Sequence, residues 1–351
     1  MRRFFLLIPL LFSAALMLAQ DKHFTQFYAS PLTLNPALTG AFDGRYRVGG
    51  IYRDQWRGVL DDPYVTFSTS VDVRFDVTLD SRYKDAFAIG LVFLSDNVNS
   101  IDFSTNQLAL SAAFHKGLDF DKRQFITIGI QAALNQRNIN YEFLNFDDQF
   151  NQIDNFNLAT QEVLPENNFA FSDFSAGINY IFRPKKKISI NAGFTLSHFL
   201  RPQLSFYPPA EDPQDIIDGD SRLYMKLGGQ LSIQFPVTSR VSLIPRVLFT
   251  KQGPHLAMTT GSNVRIALND FNRNAFQIGT WVRPVRNDGG DFGLDAAILM
   301  VGFEISNILF GLSYDANIDD LRTHRQGQNS IEFSAMYQGS FDDESILCPK
   351  F

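Results

Sequence analysis

The charged residues of this chain recur at every second position of extended stretches. In the segment from Tyr64 to Phe75, Asp72 and Arg74 share one parity, whereas the apolar Val71 and Val73 share the other. A period of two places the two sets on opposite faces of a β-strand, one polar and one apolar. When the same parity is carried through the other stretches, the polar face is more basic than acidic. Its basic members are Arg47, Arg53, Arg57, Arg74, Arg137, Lys226, Arg246, Arg265 and Arg283, and its acidic members are Asp72, Asp173, Asp295, Asp315 and Glu332.

Two interpretations of this basic face are open. In the first, arginine and aspartate side chains of neighbouring strands pair with each other and brace the sheet. In the second, the basic face receives an anionic segment, and low-dielectric walls focus the electric field along its axis. The second interpretation makes Arg246, Arg265 and Arg283 candidate partner-binding residues. Their neutralisation is then expected to weaken binding of the partner and to leave assembly of the fold intact.

No stretch carries the spacing of a catalytic or metal site. The five histidines are scattered, and neither a nucleophile elbow nor a phosphate-binding loop is present. Aspartate doublets such as Asp147-Asp148 lack the ligand ladder of a calcium loop and are interpreted as solvated loop charge. We therefore predict no catalytic residue, no cofactor and no metal, and an enzyme site assembled across strands stays open as an alternative. The single cysteine, Cys348, excludes an internal disulfide, and its role is not explained by the sequence.

The composition favours a strand-rich protein. The chain has 351 residues, of which 45% are hydrophobic and 19% are charged, and its formal net charge is -6. Phenylalanine is abundant, with 35 residues against 11 tyrosines and 2 tryptophans. Aromatic residues favour strands, and they form girdles in outer-membrane barrels. The acidic balance argues against a nucleic-acid partner, since the longest basic run is Lys185–Lys187.

Residues 1–19 have the pattern of a signal peptide. Arg2 and Arg3 provide a basic start, an apolar run follows, and Ala19 is a suitable small residue before the cleavage point. After this segment no apolar run approaches the roughly 18 residues that a membrane-spanning helix needs. An exported chain of this kind is periplasmic, secreted, or a β-barrel of an outer membrane.

Fourteen candidate strands follow an irregular segment, residues 20–44, that Pro31, Pro36, Gly40 and Gly44 interrupt. We expect the strands to form one unit over residues 45–338, with a C-terminal periplasmic tail at 339–351. The predicted strands are Arg45–Arg57, Tyr64–Phe75, Asp85–Leu94, Phe103–Lys116, Gln124–Arg137, Phe169–Phe182, Ile188–Phe199, Arg222–Phe235, Val241–Lys251, Ala257–Leu268, Ala275–Val282, Phe292–Gly302, Ile308–Ala316 and Ser330–Tyr337.

The connections between these strands favour a membrane barrel over a soluble sandwich. Most even-numbered connections are short, for example Pro236–Arg240, whereas several odd-numbered ones are long, notably Asn138–Asn168 and Leu200–Ser221. Short periplasmic turns and long extracellular loops are typical of outer-membrane barrels. In hydrocarbon only a closed sheet leaves no unpaired backbone edge. The predicted fold is therefore an all-β, transmembrane antiparallel barrel of about 14 strands, with membrane lipid around its apolar face.

The irregular N-terminal segment is too apolar for a free periplasmic tail. Phe24, Phe27, Tyr28, Leu32 and Leu34 cluster within it. Two functions are open for this cluster: it folds into the periplasmic mouth of the barrel as a plug, or it binds a periplasmic partner.

The two ends of the chain resemble a known family. The segment from Gln20 to Tyr28, the following Pro31-Leu32 and Leu34-Asn35-Pro36-Ala37, and the run Tyr52-Arg53-Asp54-Gln55-Trp56 are similar to motifs of the PorP/SprF proteins of type IX secretion in Bacteroidetes. Gly311-Leu312-Ser313-Tyr314-Asp315 and the closing Cys348-Pro349-Lys350-Phe351 also resemble this family. The matches occur in order at both ends, so the resemblance covers the chain after the signal peptide. Lys22 departs from the family pattern, which has proline there.

The resemblance implies a non-catalytic outer-membrane barrel of the secretion and gliding machinery. Such a protein helps to export or anchor a large cell-surface protein or adhesin through the C-terminal domain of that protein, and it contacts periplasmic and outer-membrane components of the machinery. An outer-membrane diffusion channel or hydrophobic-solute transporter is the alternative that the strands alone allow. The candidate partner-binding residues are Phe24, Phe27, Tyr28, Arg53, Gln55, Trp56, Arg246, Arg265, Arg283, Tyr314 and Asp315.

Overall fold

The computed structural model describes residues 21–57, 63–77, 85–121, 123–184, 188–207, 222–268, 274–286, 292–318 and 329–340. The expected signal peptide, residues 341–351 of the expected C-terminal tail with Cys348, the Lys185–Lys187 run and most of the aspartate doublets lie outside these residues.

Fourteen antiparallel strands close into one barrel, because each strand pairs with its neighbours in the chain and β1 pairs with β14. This confirms the predicted fold class and strand number. The strands are β1 Tyr46–Gln55, β2 Tyr64–Val77, β3 Asp85–Val98, β4 Phe103–Gly117, β5 Gln124–Ile139, β6 Asn168–Phe182, β7 Ser189–Ser197, β8 Lys226–Pro236, β9 Val241–Gln252, β10 His255–Ala267, β11 Ala275–Arg286, β12 Phe292–Ile305, β13 Ile308–Asn317 and β14 Ser330–Gly339.

The alternation in β2 has the orientation that a barrel in lipid requires. Phe67, Val71 and Phe75 are 40%, 39% and 45% exposed on the outer face. Ser68 and Asp72 on the other parity are buried toward the lumen. Since the outer face is apolar and the inner face is polar, the sheet has the pattern of an outer-membrane barrel rather than of stacked soluble sheets.

Some predicted strand ends were wrong, and one of these errors matters for the lumen. The sequence pattern ended β12 at Gly302, but the strand continues to Ile305 and carries Glu304 into the wall. The sequence pattern assigned Arg57 to the polar face of β1, but β1 ends at Gln55. Arg57 lies in the following loop, where it is exposed and pairs with Asp54 of β1. The sequence pattern therefore made β12 too short and β1 too long.

The two ends of the barrel differ in their connections. We call the end where β1 begins and β14 ends the near end, and the opposite one the far end. At the near end β12 and β13 are joined by the two residues 306–307, and β8 and β9 by residues 237–240. The far end carries the long connections of residues 140–167 and 198–225. In outer-membrane barrels the short turns face the periplasm and the long loops face the cell exterior.

Residues 21–44, which we call the lumen segment, run inside the barrel from the far end to the start of β1. The segment contains three short helical turns at Phe27–Ala29, Pro31–Leu34 and Pro36–Leu38. Proline fits the first position of such a turn because that position needs no backbone N–H donor. Among the described residues, no helix is long and apolar enough to cross a membrane.

Candidate functional site: the occupied lumen

Near the far end, one buried carboxylate of the wall accepts hydrogen bonds from two backbone N–H groups of the lumen segment. The amide nitrogens of Thr25 and Gln26 donate to the two carboxylate oxygens of Glu332 at 2.7 and 2.8 Å. Glu332 is fully buried, and it lies directly opposite Arg53 across the β1–β14 pair, where Arg53 also donates to it. Hydrogen bonds to a charged acceptor are stronger than neutral ones. This carboxylate therefore fixes both the position and the direction of the segment.

A second carboxylate holds the side chain of the same threonine. The hydroxyl of Thr25 donates to Asp315 on β13 at 2.5 Å and accepts from Arg53 at 3.0 Å. Arg283 on β11 donates to Asp315 at 2.7 Å and also to the hydroxyl of Thr25. Two arginines and two carboxylates from β1, β11, β13 and β14 thus meet at Thr25. A buried ion pair is stabilised when further hydrogen bonds satisfy its atoms, and the segment supplies part of these bonds, although Oδ1 of Asp315 and Nε of Arg283 have no partner among the described residues.

An aromatic cluster holds the segment in the middle of the lumen. The ring of Phe27 meets the ring of Trp281 edge-to-face, with 5.7 Å between centroids. The guanidinium carbon of Arg246 lies 4.2 Å from the centroid of the Tyr28 ring. Nη1 of Arg246 has no hydrogen-bond partner among the described residues, so the ring is the main contact recorded for its charge. A desolvated cation on an aromatic face contributes about 2 kcal/mol.

Close approach of Asn35 to the wall positions the next part of the segment against β6 and β7. The amide of Asn35 donates to the carbonyls of Ile178 and Phe194, each at 3.3 Å, while its Oδ1 accepts from the backbone of Ala37. A Cβ atom added to Gly177 would overlap the side chain of Asn35. Glycine inside a strand marks such an approach of another backbone or side chain.

At the near end, an arginine–aspartate pair closes the path of the segment. Arg47 on β1 lies opposite Asp72 on β2 and donates to both of its oxygens at 2.9 and 2.7 Å. Asp72 also accepts from the backbone of Gly40 at 2.7 Å, and Arg47 donates to the carbonyl of Leu38 at 3.0 Å. The pair therefore braces the wall and binds the segment at the same time.

The first described residue of the segment lies in a charged group at the far end. Asp21 accepts from Lys226 at 2.7 Å and contacts His198 at 3.3 Å, while His198 contacts Asp173 at 2.8 Å. Burial acts to raise the pKa of Asp21, but Lys226 and His198 outweigh it and hold that pKa well below its ordinary value. Burial acts to lower the pKa of His198, but its bonds with Asp173 and Asp21 raise that pKa to about 9. The two groups are charged at neutral pH and attract each other.

A cavity of about 710 Å³ remains between the lumen segment and the wall, in the far half of the barrel. Lys22, Leu32 and Leu34 line it from the segment. The wall contributes both apolar and polar residues of β3, β4 and β6, and polar residues of β5, β7 and β8. Among these wall residues are Val92, Leu94, Asp96, Phe103, Ala109, Asn135, Arg137, Phe171, Asp173 and Lys226.

Several residues predicted as partner-binding face the segment or this cavity. Phe24, Phe27, Tyr28, Arg53, Arg283 and Asp315 form the contacts with and within the segment described above, or pack beside them. Gln55 accepts from Arg53 at 3.3 Å, and Trp56 follows β1 with its ring edge-to-face on Tyr64 at 5.1 Å. Gln55 and Trp56 also line the cavity.

Two other predicted residues lie elsewhere. Arg265 pairs with Glu304 on the wall near the near end, at 2.8 Å between Nε and Oε1, and Gln277 donates to the same carboxylate. Tyr314 points to the outer face of the barrel and is 42% exposed. The structure therefore does not bring Arg265 and Tyr314 together with the far-end group.

The sequence argument missed several residues that hold the segment. Asn35 precedes Pro36, a pattern typical of the residue that caps a helical turn. Gly177 interrupts a strand pattern, which indicates close packing of another element. Asp21 and Gln26 carry no such local signal, because their partners are 177 or more positions away in the chain. Among the described residues, no group of histidine, cysteine and carboxylate side chains has the arrangement of a metal site.

Comparison with known proteins agrees with a membrane barrel. The sequence profile of the type IX secretion system membrane protein PorP/SprF family matches residues 17–337. No curated protein matches the sequence. Similar solved structures include the CymD monoaromatic hydrocarbon channel (TM-score 0.52, 10% identity, 90% of this chain and 93% of that chain). A deltaS2 mutant of the TodX monoaromatic hydrocarbon channel has a TM-score of 0.50 at 8% identity, covering 89% of this chain and 94% of that one. At these identities the likeness concerns the fold alone.

Proposed function

Because this chain belongs to the type IX secretion system membrane protein PorP/SprF family, we propose that it helps to export or anchor a large cell-surface protein. In this proposal the barrel is not a catalyst. It lies in the outer membrane and binds the C-terminal domain of the surface protein, together with periplasmic or outer-membrane components of the secretion and gliding machinery.

The observation that carries the proposal is the occupied lumen. The lumen segment is bonded to the wall at the far end through Glu332 and at the near end through Asp72. Because the segment is held at both ends, it fills much of the lumen. The space that remains is a cavity toward the far end. That geometry supports a barrel that receives a partner rather than one through which solutes diffuse.

The loops at the far end add a surface suited to a protein partner. Residues 140–167 contain six acids, Glu142, Asp147, Asp148, Asp154, Glu162 and Glu166, and no lysine or arginine. Ile153 and Val163 in this loop are 83% and 86% exposed. Exposed apolar side chains among charges are typical of an interaction surface. A partner with basic and apolar residues would fit it.

The proposal is tested by purification from outer membranes. We expect a tagged chain to co-purify with one or more large surface proteins, and we expect deletion of its gene to release those proteins into the medium. A matched control is an unrelated tagged barrel from the same membranes. If the surface proteins remain attached in the deletion strain and none co-purifies, the proposal is wrong.

A hydrophobic-solute channel is the second candidate, and the apolar wall of the cavity favours it. Solute flux into liposomes that contain the purified barrel separates the two functions. Deletion of Gln20–Gly40 provides a further comparison, because loss of a plug is expected to raise small-solute permeability. If the segment instead binds a periplasmic partner, its deletion releases that partner and causes no leak. High flux through the intact chain would favour the channel.

A further inference from the structure

Two residues of β5 that line the far-end cavity each carry a hydrogen-bond donor without a partner. Nδ2 of Asn135 and Nε of Arg137 are buried, and neither has a hydrogen-bond partner among the described residues. Asn135 is only 6% exposed. The two residues are separated by one position on the strand, so both point to the same face and their Cα atoms lie about 7 Å apart. Both line the cavity.

Arg137 differs from the other cations around this cavity because none of the recorded ion pairs includes it. The acids of the cavity wall are already engaged: Asp96 pairs with Lys22 at 3.7 Å, and Asp173 contacts His198 at 2.8 Å. The guanidinium carbon of Arg137 lies 6.0 Å from the ring of Phe103 and 5.8 Å from the ring of Phe171. The aromatic rings lie beside the guanidinium, and its buried Nε has no acceptor among the described residues.

Deeper in the cavity the walls are apolar. Val92, Leu94 and Ala109 point inward from β3 and β4, and Leu32 of the lumen segment faces them. Leu32, Val92 and Ala109 belong to one buried cluster at the floor. Inward apolar residues also pack against the segment around Phe27 and Trp281. The cavity thus has a cationic mouth and an apolar floor.

We infer that this cavity binds a carboxylate attached to an apolar chain. Arg137 and Asn135 receive the carboxylate, and the apolar part lies along the apolar side chains that line the cavity, such as Leu34 and Phe171. A guanidinium is suited to a planar carboxylate, and the amide of Asn135 donates to the same group. The C-terminal end of a polypeptide and a fatty acid share this chemistry. The polypeptide source rests on the proposed function, because it would be the end of the exported protein.

The two donors of Asn135 and Arg137 lack acceptors in the wall, so a ligand is the group that would accept from them. A buried donor that lacks an acceptor destabilises a protein, and natural structures rarely retain such groups without a reason. Other buried nitrogens of the lumen also lack a partner, among them Nε of Arg283 and Nη1 of Arg246, but Arg283 still pairs with Asp315 and Arg246 lies 4.2 Å from the ring of Tyr28. The unsatisfied pair occurs where the cavity is open to the far end.

Binding is measured on the full-length processed chain in a detergent with an uncharged head group. The probes are a fluorescent apolar peptide with a free C-terminal carboxylate, the same peptide amidated at its C-terminus, and dodecanoate as a competitor. Fluorescence anisotropy gives the dissociation constants. The variants are Arg137→Gln and Asn135→Ala, and the matched control is Arg123→Gln, which removes an exposed arginine from the near-end turn.

We expect amidation or Arg137→Gln to weaken peptide binding about tenfold or more, and Arg123→Gln to leave it unchanged. Arg137→Lys keeps the charge and is expected to recover part of the affinity. Each variant is compared with the native chain for the shift in gel mobility on heating that reports a folded barrel. If the peptide with a free carboxylate binds and dodecanoate does not displace it, the site is assigned to the C-terminal end of a polypeptide.

Binding of dodecanoate in place of the peptide assigns the site to a fatty acid, again with dependence on Arg137. The inference is overturned if a folded Arg137→Gln barrel binds both carboxylates as well as the native chain, or if neither carboxylate binds. This result is separate from the proposed function. A strain that lacks the gene and still retains its surface proteins refutes the proposed function, whatever the purified cavity binds.

Discussion

Replacement of Glu332 by glutamine should release the far-end part of the lumen segment while the barrel stays closed. The substitution keeps the shape of the side chain but removes the charge that accepts from Thr25, Gln26 and Arg53. One of the two carboxylate oxygens becomes an amide donor, so one of the segment's backbone donors faces another donor. The segment loses two hydrogen bonds to a charged acceptor, each of which contributes about 1.5–3 kcal/mol.

The ion pair of Arg53 with Glu332 lies within the wall, so its loss affects the bound and the released states of the segment alike. Asp315 lies 3.7 Å from Arg53, so the arginine keeps one nearby negative charge when Glu332 is neutralised. We therefore expect the binding of the segment to lose about 3 kcal/mol, about 1.5 for each hydrogen bond, which raises the population of the released state about 100-fold.

The assay is the labelling rate of a cysteine introduced at Ala29, in a chain whose Cys348 is replaced by serine. Ala29 is 3% exposed within the lumen segment, so a maleimide reaches position 29 only when the segment moves. Glu332→Gln is expected to increase the labelling rate about 100-fold. The matched control is Glu304→Gln, since Glu304 bonds Arg265 and Gln277 of the wall and has no recorded bond to the segment. Equal labelling rates in the two variants would refute the assignment of Glu332 as the anchor.

Three further predictions concern the same segment. Gly177→Ala places a methyl group on Asn35 and should raise labelling of the segment, whereas Gly229→Ala, which has no atom within 4 Å of the added carbon, should not; equal effects would contradict the proposed close approach. Raising the pH through about 9 should loosen the far end of the segment, because the pKa of His198 is raised: its contribution is complete below the unfolded value of about 6.5 and is lost as the folded group loses its proton. His198→Asn should abolish this alkaline step in the labelling rate, and a step that persists in the variant would assign it to another group. Trp281→Ala should destabilise the segment by about 3–5 kcal/mol through loss of its buried ring, measurable as faster labelling, and an unchanged rate would show that this ring does not hold the segment.

The alternation of residue types was sufficient to predict the wall of the barrel. In β2 the sequence pattern placed Phe67 and Val71 outside and Asp72 inside, as observed. Fourteen strands could be counted because lipid requires an apolar outer face and water or protein requires a polar inner one, so the two-residue period persists through most strands. The same argument could not fix the strand ends. The alternation continues to Glu304, past Gly302, where the sequence pattern ended β12.

The path of the lumen segment could not be predicted in this way. The segment has no period, and its contacts join residues far apart in the sequence: Thr25 meets Asp315, and Asn35 meets Phe194. The apolar cluster of the segment indicated that the segment is buried. Burial alone does not distinguish a segment that fills only the mouth of the barrel from one that runs along the whole lumen. Arg246 illustrates the same limit, since its parity placed it inward and only the fold reveals that an aromatic ring of the segment faces it.

The width of the barrel explains why the segment belongs to the fold rather than to its surface. Eight strands enclose a space that side chains fill, whereas fourteen enclose more than side chains can reach across. Arg53 and Arg283 project from opposite sides of the β12–β14 wall toward one point, and Thr25 bonds both of them there. Without the segment these arginines and their carboxylates would face water, which solvates them well enough to keep the sheet closed. Removal of the whole segment should therefore open the lumen without unfolding the wall, whereas a single change at the anchor leaves buried charge unpaired and displaces the segment instead.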